Sequence, residues 1–299
     1  MTAPVWLWAA FTLIAAFSQT LRNALQKDLT QTIGAVGATH ARFLYGLPFA
    51  LLFFALIVIA TGVMPPLPGP TFAVMTVVGA LAQIAATGLM LSAMRSRSFV
   101  IVTAYTKSEP LLVVAVSWLV LSETISLAAT LAVALATLGV LAMSWPAAAM
   151  RQAGWARPVA FGLVSGALFA VSAVCFRGAI LDVESGLFLV DASLTLICAL
   201  AFQTAALSGW LAWRDMPVLV ALLRSPGKAL PAGFTGAFAS QLWFFAFSLQ
   251  SASLVRAAAL AEILFAQVMT RRVFRETITR REGVGIGMLT VGVAGALLL

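Results

Sequence analysis

Charge is what this sequence has least of. Only 9% of its 299 residues are Asp, Glu, Lys or Arg, where an ordinary soluble domain carries about 25%. A water-soluble chain of this length could not cover its surface with so few polar side chains, so most of that surface must face lipid. Histidine is nearly absent, with His40 alone, and no acidic pair stands at metal-ligand spacing. Membrane-embedded enzymes need clusters of such groups at one interface, so no catalytic residue, metal or cofactor is expected. The two cysteines, Cys175 and Cys198, sit in apolar runs without ligand spacing and read as packing residues, a disulfide between them being left open. Long hydrophilic segments are lacking too. That leaves no room for the soluble module a receptor or scaffold would carry.

In their place, hydrophobic residues make up 62% of the chain. They fall into runs near the length of about 20 residues that a membrane-crossing helix needs. Helices are expected near 4–22, 33–60, 71–94, 99–121, 126–145, 158–179, 186–212, 231–249, 253–272 and 283–299. The breaks are short, such as Leu67-Pro68-Gly69-Pro70 and Ser122-Glu123-Thr124; the longest, about 213–230, carries Arg214, Asp215, Arg224 and Lys228. The first run lacks a basic leader and continues into an Arg22–Lys27 flank, so it reads as a span and not as a cleaved signal. Backbone amides in lipid must be satisfied within their own segment, which predicts an all-α integral membrane protein with ten transmembrane helices. The formal net charge of +8 then belongs to membrane-flanking residues; lipid is the expected partner and nucleic acid is not. Nothing in the sequence decides the oligomeric state, and a monomer is compatible with it.

The chain also repeats. Displaced by 153 residues, Ser122-Glu123-Thr124-Ile125 falls on Arg275-Glu276-Thr277-Ile278, Glu109 on Glu262, Ser98 on Ser251, and Thr137, Gly139 and Val140 on Thr290, Gly292 and Val293. Two five-helix units are expected, 1–148 and 149–299. An odd number of helices inverts the second unit in the membrane, which is a transporter architecture with a cavity between the halves. Fourteen of the 18 Lys and Arg residues lie in or beside the loops after helices 1, 3, 5, 7 and 9, Arg22 and Lys27 among them, while the opposite loops hold at most Arg177. The positive-inside rule predicts odd-numbered loops in the cytoplasm and both termini outside.

The unit's fourth helix ends in Ser-Glu-Thr and leads directly into a fifth helix with a late Gly-Val, and Pro110 stands within the fourth helix of the first copy. This pattern resembles the drug/metabolite transporter superfamily, its EamA-type ten-helix exporters, and within these the YddG-type aromatic amino acid exporters. The resemblance implies a central cavity, alternating access, and export of amino acids or related small metabolites across a bacterial inner membrane. The chain departs from the family pattern in its uncharged 61–70 loop, in Ile263 where the first copy has Pro110, and in a charge bias opposite to the usual termini-inside arrangement.

Ionisable groups inside spans cost roughly 2.5–3.5 kcal/mol each at a helix centre and so mark functional candidates. They are His40, Arg42, Lys107, Glu109, Arg256 and Glu262, with Asp191 nearer a helix end. The competing reading is that they pair to lock helices together. On a continuous helix Lys107 and Glu109 point about 160° apart and would not share a surface; Tyr105 would lie with Glu109. Pro110 would free a backbone carbonyl near Thr106 for substrate, or merely kink the helix. Gln83 and Gln241 occupy roughly matching places in the two units, and Gln241 leads into Trp243, Phe244, Phe245 and Phe247, a combination suited to an aromatic or bulky apolar ligand. Trp6, Trp8, Trp145, Trp155, Trp210 and Trp213 fall at helix ends as an interfacial belt. Gly283-Val284-Gly285-Ile286-Gly287 follows no strand and reads as a close helix contact, not a nucleotide loop. Whether protons or ions are coupled to transport is left open by these residues.

Overall fold

A computed structural model describes residues 4, 6–94, 105–143, 156–224, 226–264 and 280–298. The described residues form helices joined by short connections: α1 (Leu7–Thr61), α2 (Pro70–Met94), α3 (Glu109–Leu121), α4 (Leu127–Met143), α5 (Ala156–Leu181), α6 (Phe188–Arg214), α7 (Met216–Arg224), α8 (Pro226–Leu249), α9 (Ala252–Ala259) and α10 (Arg280–Leu298). Among the described residues five segments are long and apolar enough to cross a membrane, and α3 and α4 are shorter apolar helices. This is an all-helical, multi-pass membrane fold. The matching Ser122/Arg275 turns can be compared on one side only, because 275–278 lies outside the described residues, as do Trp145, Trp155 and the ends of the expected fourth and ninth spans.

At 1.5 Å per residue, a straight 55-residue helix would be about 82 Å long, more than twice a bilayer core of about 30 Å. α1 instead turns back at Gly34, whose φ of 74° and ψ of 174° lie outside the helical region. That conformation is open to glycine and almost nothing else. The arms fold against each other closely enough for Gln26 Nε2 to donate to the carbonyl of Ala38 at 3.0 Å, contact that a straight helix would place about 18 Å apart. The first arm thus runs past the expected end at residue 22. Arg22, expected in a flank, is only 3% exposed. Trp8, expected in the interfacial belt, is buried in the core, whereas Trp6, Trp210 and Trp213 do stand exposed. The expected 213–230 loop contains α7, a short helix that buries Leu222 and is pinned by Tyr45 Oη donating to the Leu222 carbonyl at 2.9 Å.

α8 packs along α1 and α2 along α5, while α4 and α10 pack on each other. The last pair meets almost backbone to backbone. A Cβ on Gly139 would lie 2.6 Å from Leu289 N and 2.7 Å from Gly285 O, and one on Gly292 would overlap Ala136 N and lie 2.7 Å from Ala132 O. The glycine-rich start of α10 is therefore a helix contact. Cys175 and Cys198 are both free, so no disulfide joins α5 to α6.

Candidate functional site

Helix α3 does not run straight through its charged segment. Tyr105 and Thr106 are helical, Lys107 and Ser108 form a turn, and Glu109 restarts the helix with Pro110 in its first turn. Proline fits that position because its missing N–H is one of the donors a helix start leaves unused anyway. The break swings Lys107 and Glu109 onto the same cavity wall, against the expectation that they face apart, because 100° per residue holds only along an unbroken helix. The freed carbonyl expected to meet substrate packs elsewhere: Thr106 O would lie 3.1 Å from a Cβ on Gly166, so it abuts the bare backbone of α5. α9 is interrupted correspondingly. It ends at Ala259, Leu260 forms a turn, and helix resumes over 261–264, with Ile263 N donating to Leu260 O at 3.0 Å. No proline accompanies this second break.

The two breaks face a cavity of about 420 Å³ bounded by α1, α2, α3, α5, α8 and α9. Two ion pairs cross it. Lys107 Nζ contacts Glu262 Oε1, and Arg256 Nε lies 3.0 Å from Glu109 Oε1. Each glutamate is held by a cation from the other half of the chain. Thr20 Oγ1 adds a hydrogen bond to Glu262 Oε2 at 3.2 Å. The guanidinium of Arg256 also lies 4.5 Å from the centroid of Trp243 and 5.4 Å from that of Phe247, a geometry in which the ring faces stabilise its charge. Phe244 and Phe176 extend the aromatic wall with centroids 4.9 Å apart. Phe245 turns the other way, onto Phe11 and Phe188.

Of the residues singled out from sequence, Glu109, Glu262, Lys107, Arg256, Arg42, Gln83 and Trp243 line this cavity. The others stand apart from it. His40 is fully buried between α1 and α6, with Nε2 2.9 Å from Ser208 Oγ. Gln241 donates to Ser193 Oγ at 2.9 Å and ties α8 to α6; the amide beside the aromatic wall is Gln83, which accepts from Gln203 Nε2 at 2.8 Å. Asp191 sits in the first turn of α6 and accepts from Ser185 N at 3.0 Å, a helix-end role. Pro110 is buried and Tyr105 half-buried, neither on the cavity wall. Several cavity residues were not anticipated, Arg22 and Ser240 among them. Arg22 had a readable signal: Ser18, Arg22, Gln26 and Thr30 recur every fourth residue, a polar stripe on one helix face, and all four are buried.

A clasp adjoins the cavity at Phe247. Arg177 on α5 donates from Nη2 to Glu123 Oε1 at 2.6 Å, and from Nη1 to the carbonyls of Gln250, at 2.6 Å, and Phe247. These contacts join the C-terminal ends of α3, α5 and α8. Among the described residues no cluster of His, Cys, Asp and Glu could hold a metal ion.

Comparison with curated proteins finds no match. Twenty-two chains of solved structures match the fold. One, described only as a crystal structure of a protein, superposes with a TM-score of 0.66 at 16% identity, over 97% of this chain and 98% of its own. At that identity the likeness speaks to fold alone. Residues 6–145, a little under half of the chain, match the model of the EamA-like transporter family.

Proposed function

We propose that this protein is an alternating-access carrier for small metabolites bearing a carboxylate and an apolar or aromatic body, amino acids and their relatives among them, working as an exporter in a bacterial inner membrane. The single observation that carries this reading is the cavity of about 420 Å³ in which Lys107–Glu262 and Arg256–Glu109 cross between the two halves of the chain. Ion pairs in a membrane interior are costly unless they serve an internal, wetted site, and helices broken beside them are how transporters offer polar groups to substrate. The aromatic wall of Trp243, Phe244 and Phe247 suits a bulky apolar group.

An inverted repeat of five spans in each half, ten in all, is favoured by a reciprocity in the packing. Gly139 meets Gly285 and Leu289, and Gly292 meets Ala132 and Ala136; adding 153 to each number of the second set's partners returns the first. The breaks at Lys107 and at Leu260 stand at the same displacement. Halves related in this way can rock about the α4–α10 contact and expose the cavity to each face in turn. The charge bias favours odd-numbered loops in the cytoplasm, even with Arg22 removed from the loop set.

Counterflow of labelled amino acids and organic acids into liposomes holding the purified protein tests the reading. Saturable counterflow of at least one is expected, reduced at least tenfold in Glu109→Gln and Glu262→Gln variants that insert at wild-type levels. Absence of flux for every metabolite offered would remove the carrier reading.

A further inference from the structure

Among the described residues, four cationic side chains line the cavity, Arg22, Arg42, Lys107 and Arg256, against two carboxylates, Glu109 and Glu262, an excess of two positive charges. Both carboxylates are already engaged, by Arg256 and Lys107. Among the described residues, Arg22 and Arg42 have no carboxylate within ion-pair distance. Arg22 Nη2 donates to the amide oxygen of Asn23 at 2.8 Å, and Arg42 Nη2 to Ser240 Oγ at 3.3 Å. Both residues are 3% exposed. Their stems converge over the bare backbone of Gly236, where a Cβ would lie 2.9 Å from Arg42 Cγ and 3.5 Å from Arg22 Cδ. Arg42 is also close enough to be repelled by Arg22 and Arg256, and Arg22 is repelled by Arg256 while Glu262 partly offsets this.

Unsatisfied donors point the same way. Arg42 Nε and Trp243 Nε1, buried on residues that line this cavity, have no acceptor, and Arg256 Nε and Glu109 Oε1, although 3.0 Å apart, make no hydrogen bond either. Three of these four atoms are donors. Buried donors without partners are rare in native proteins, because each carries the full cost of desolvation. A ligand rich in acceptors and negatively charged would relieve the repulsion and accept from these donors together, and a planar carboxylate matches the fork of a guanidinium. An ammonium group would have to compete with Lys107 and Arg256 for the two glutamates they already pair with.

Resting on the carrier reading above, we infer that Arg22 and Arg42 form an anion subsite, and that the preferred substrate is an organic acid of net negative charge with an aromatic or apolar body, in preference to a zwitterionic amino acid. Gly236 is a positioning residue that lets the two arginine stems meet. Trp243, Phe244 and Phe176 receive the apolar body, and the crossed ion pairs stay closed beside it.

Three probes with one aromatic body and different charge test this: 3-phenylpropanoate, L-phenylalanine and phenethylamine. Labelled 3-phenylpropanoate should bind the purified full-length protein saturably. Unlabelled 3-phenylpropanoate should displace it at least tenfold more effectively than L-phenylalanine, and phenethylamine should not displace it. That order is read on the wild-type protein and needs no variant. Arg22→Gln and Arg42→Gln should each weaken binding at least tenfold, with part of the loss recovered in Arg42→Lys, and Gly236→Val should weaken it by crowding the Arg42 stem. Equal or better displacement by L-phenylalanine, no saturable binding of 3-phenylpropanoate, or undiminished binding in monodisperse Arg22→Gln and Arg42→Gln proteins would overturn the inference. Counterflow separates it from the carrier reading. Transport of L-phenylalanine without 3-phenylpropanoate binding removes the anion subsite and keeps the carrier; 3-phenylpropanoate binding without any counterflow does the reverse.

Discussion

Glu109 and Glu262 persist in an apolar interior because each meets a cation from the opposite half of the sequence. The pairs are partly wet, with Lys107 26% and Glu262 16% exposed, so losing one partner should cost less than the 3–5 kcal/mol of a fully buried pair. Lys107→Gln and Glu262→Gln are each expected to destabilise the protein by about 1–3 kcal/mol. The double variant should cost less than their sum by about 1 kcal/mol, read from thermal unfolding in detergent. Strict additivity would mean that the pair makes no net contribution. Both glutamates were legible in the sequence, from their cost in lipid and their recurrence at 153 residues. The shared facing of Lys107 and Glu109 was not, since it depends on a helix break that periodicity assumes away. Arg22 reads as a flank because it stands just after an apolar run of spanning length, where a basic residue ordinarily marks the membrane surface; the polar stripe it shares with Ser18, Gln26 and Thr30 is the signal against that reading.

At the scale of elements, apolar runs of spanning length were enough to read the helices, because lipid leaves a backbone few alternatives. The connections were harder. Gly34 turns α1 back on itself by a single residue in the glycine-only region of backbone space, and nothing in the surrounding composition distinguishes it from a packing glycine. α7 was missed because nine residues are too few to span and look like a charged loop. Where helices touch, the small residues predict the outcome of enlarging them. Gly139→Leu and Gly292→Leu each drive a side chain into the backbone of the facing helix and should both abolish monodisperse protein in size-exclusion chromatography. Gly287→Leu, on the same α10 but with nothing within 4 Å of its Cβ, should elute as wild type. A large difference between the first two would argue against their equivalence in a repeated frame.

For the whole molecule, transport by rocking requires that the cavity open to each face in turn while the other is shut. The clasp of Arg177 on Glu123 and on the carbonyls of Phe247 and Gln250 ties helix ends beside the cavity, and in the proposed mechanism the close glycine contact of α4 with α10 serves as the fulcrum. Cavity and clasp share one geometry, since Phe247 lines the cavity and its carbonyl receives Arg177. The most direct test places a thiol in the cavity. In a protein with Cys175 and Cys198 replaced by serine, Ser240→Cys sets a reactive group beside Arg42. Membrane-impermeant thiol reagents applied separately to the two faces of oriented vesicles should both label it. Arg177→Ala should raise labelling from the clasped face by severalfold. Labelling from one face only, in vesicles that carry out counterflow, would contradict alternating access through this cavity.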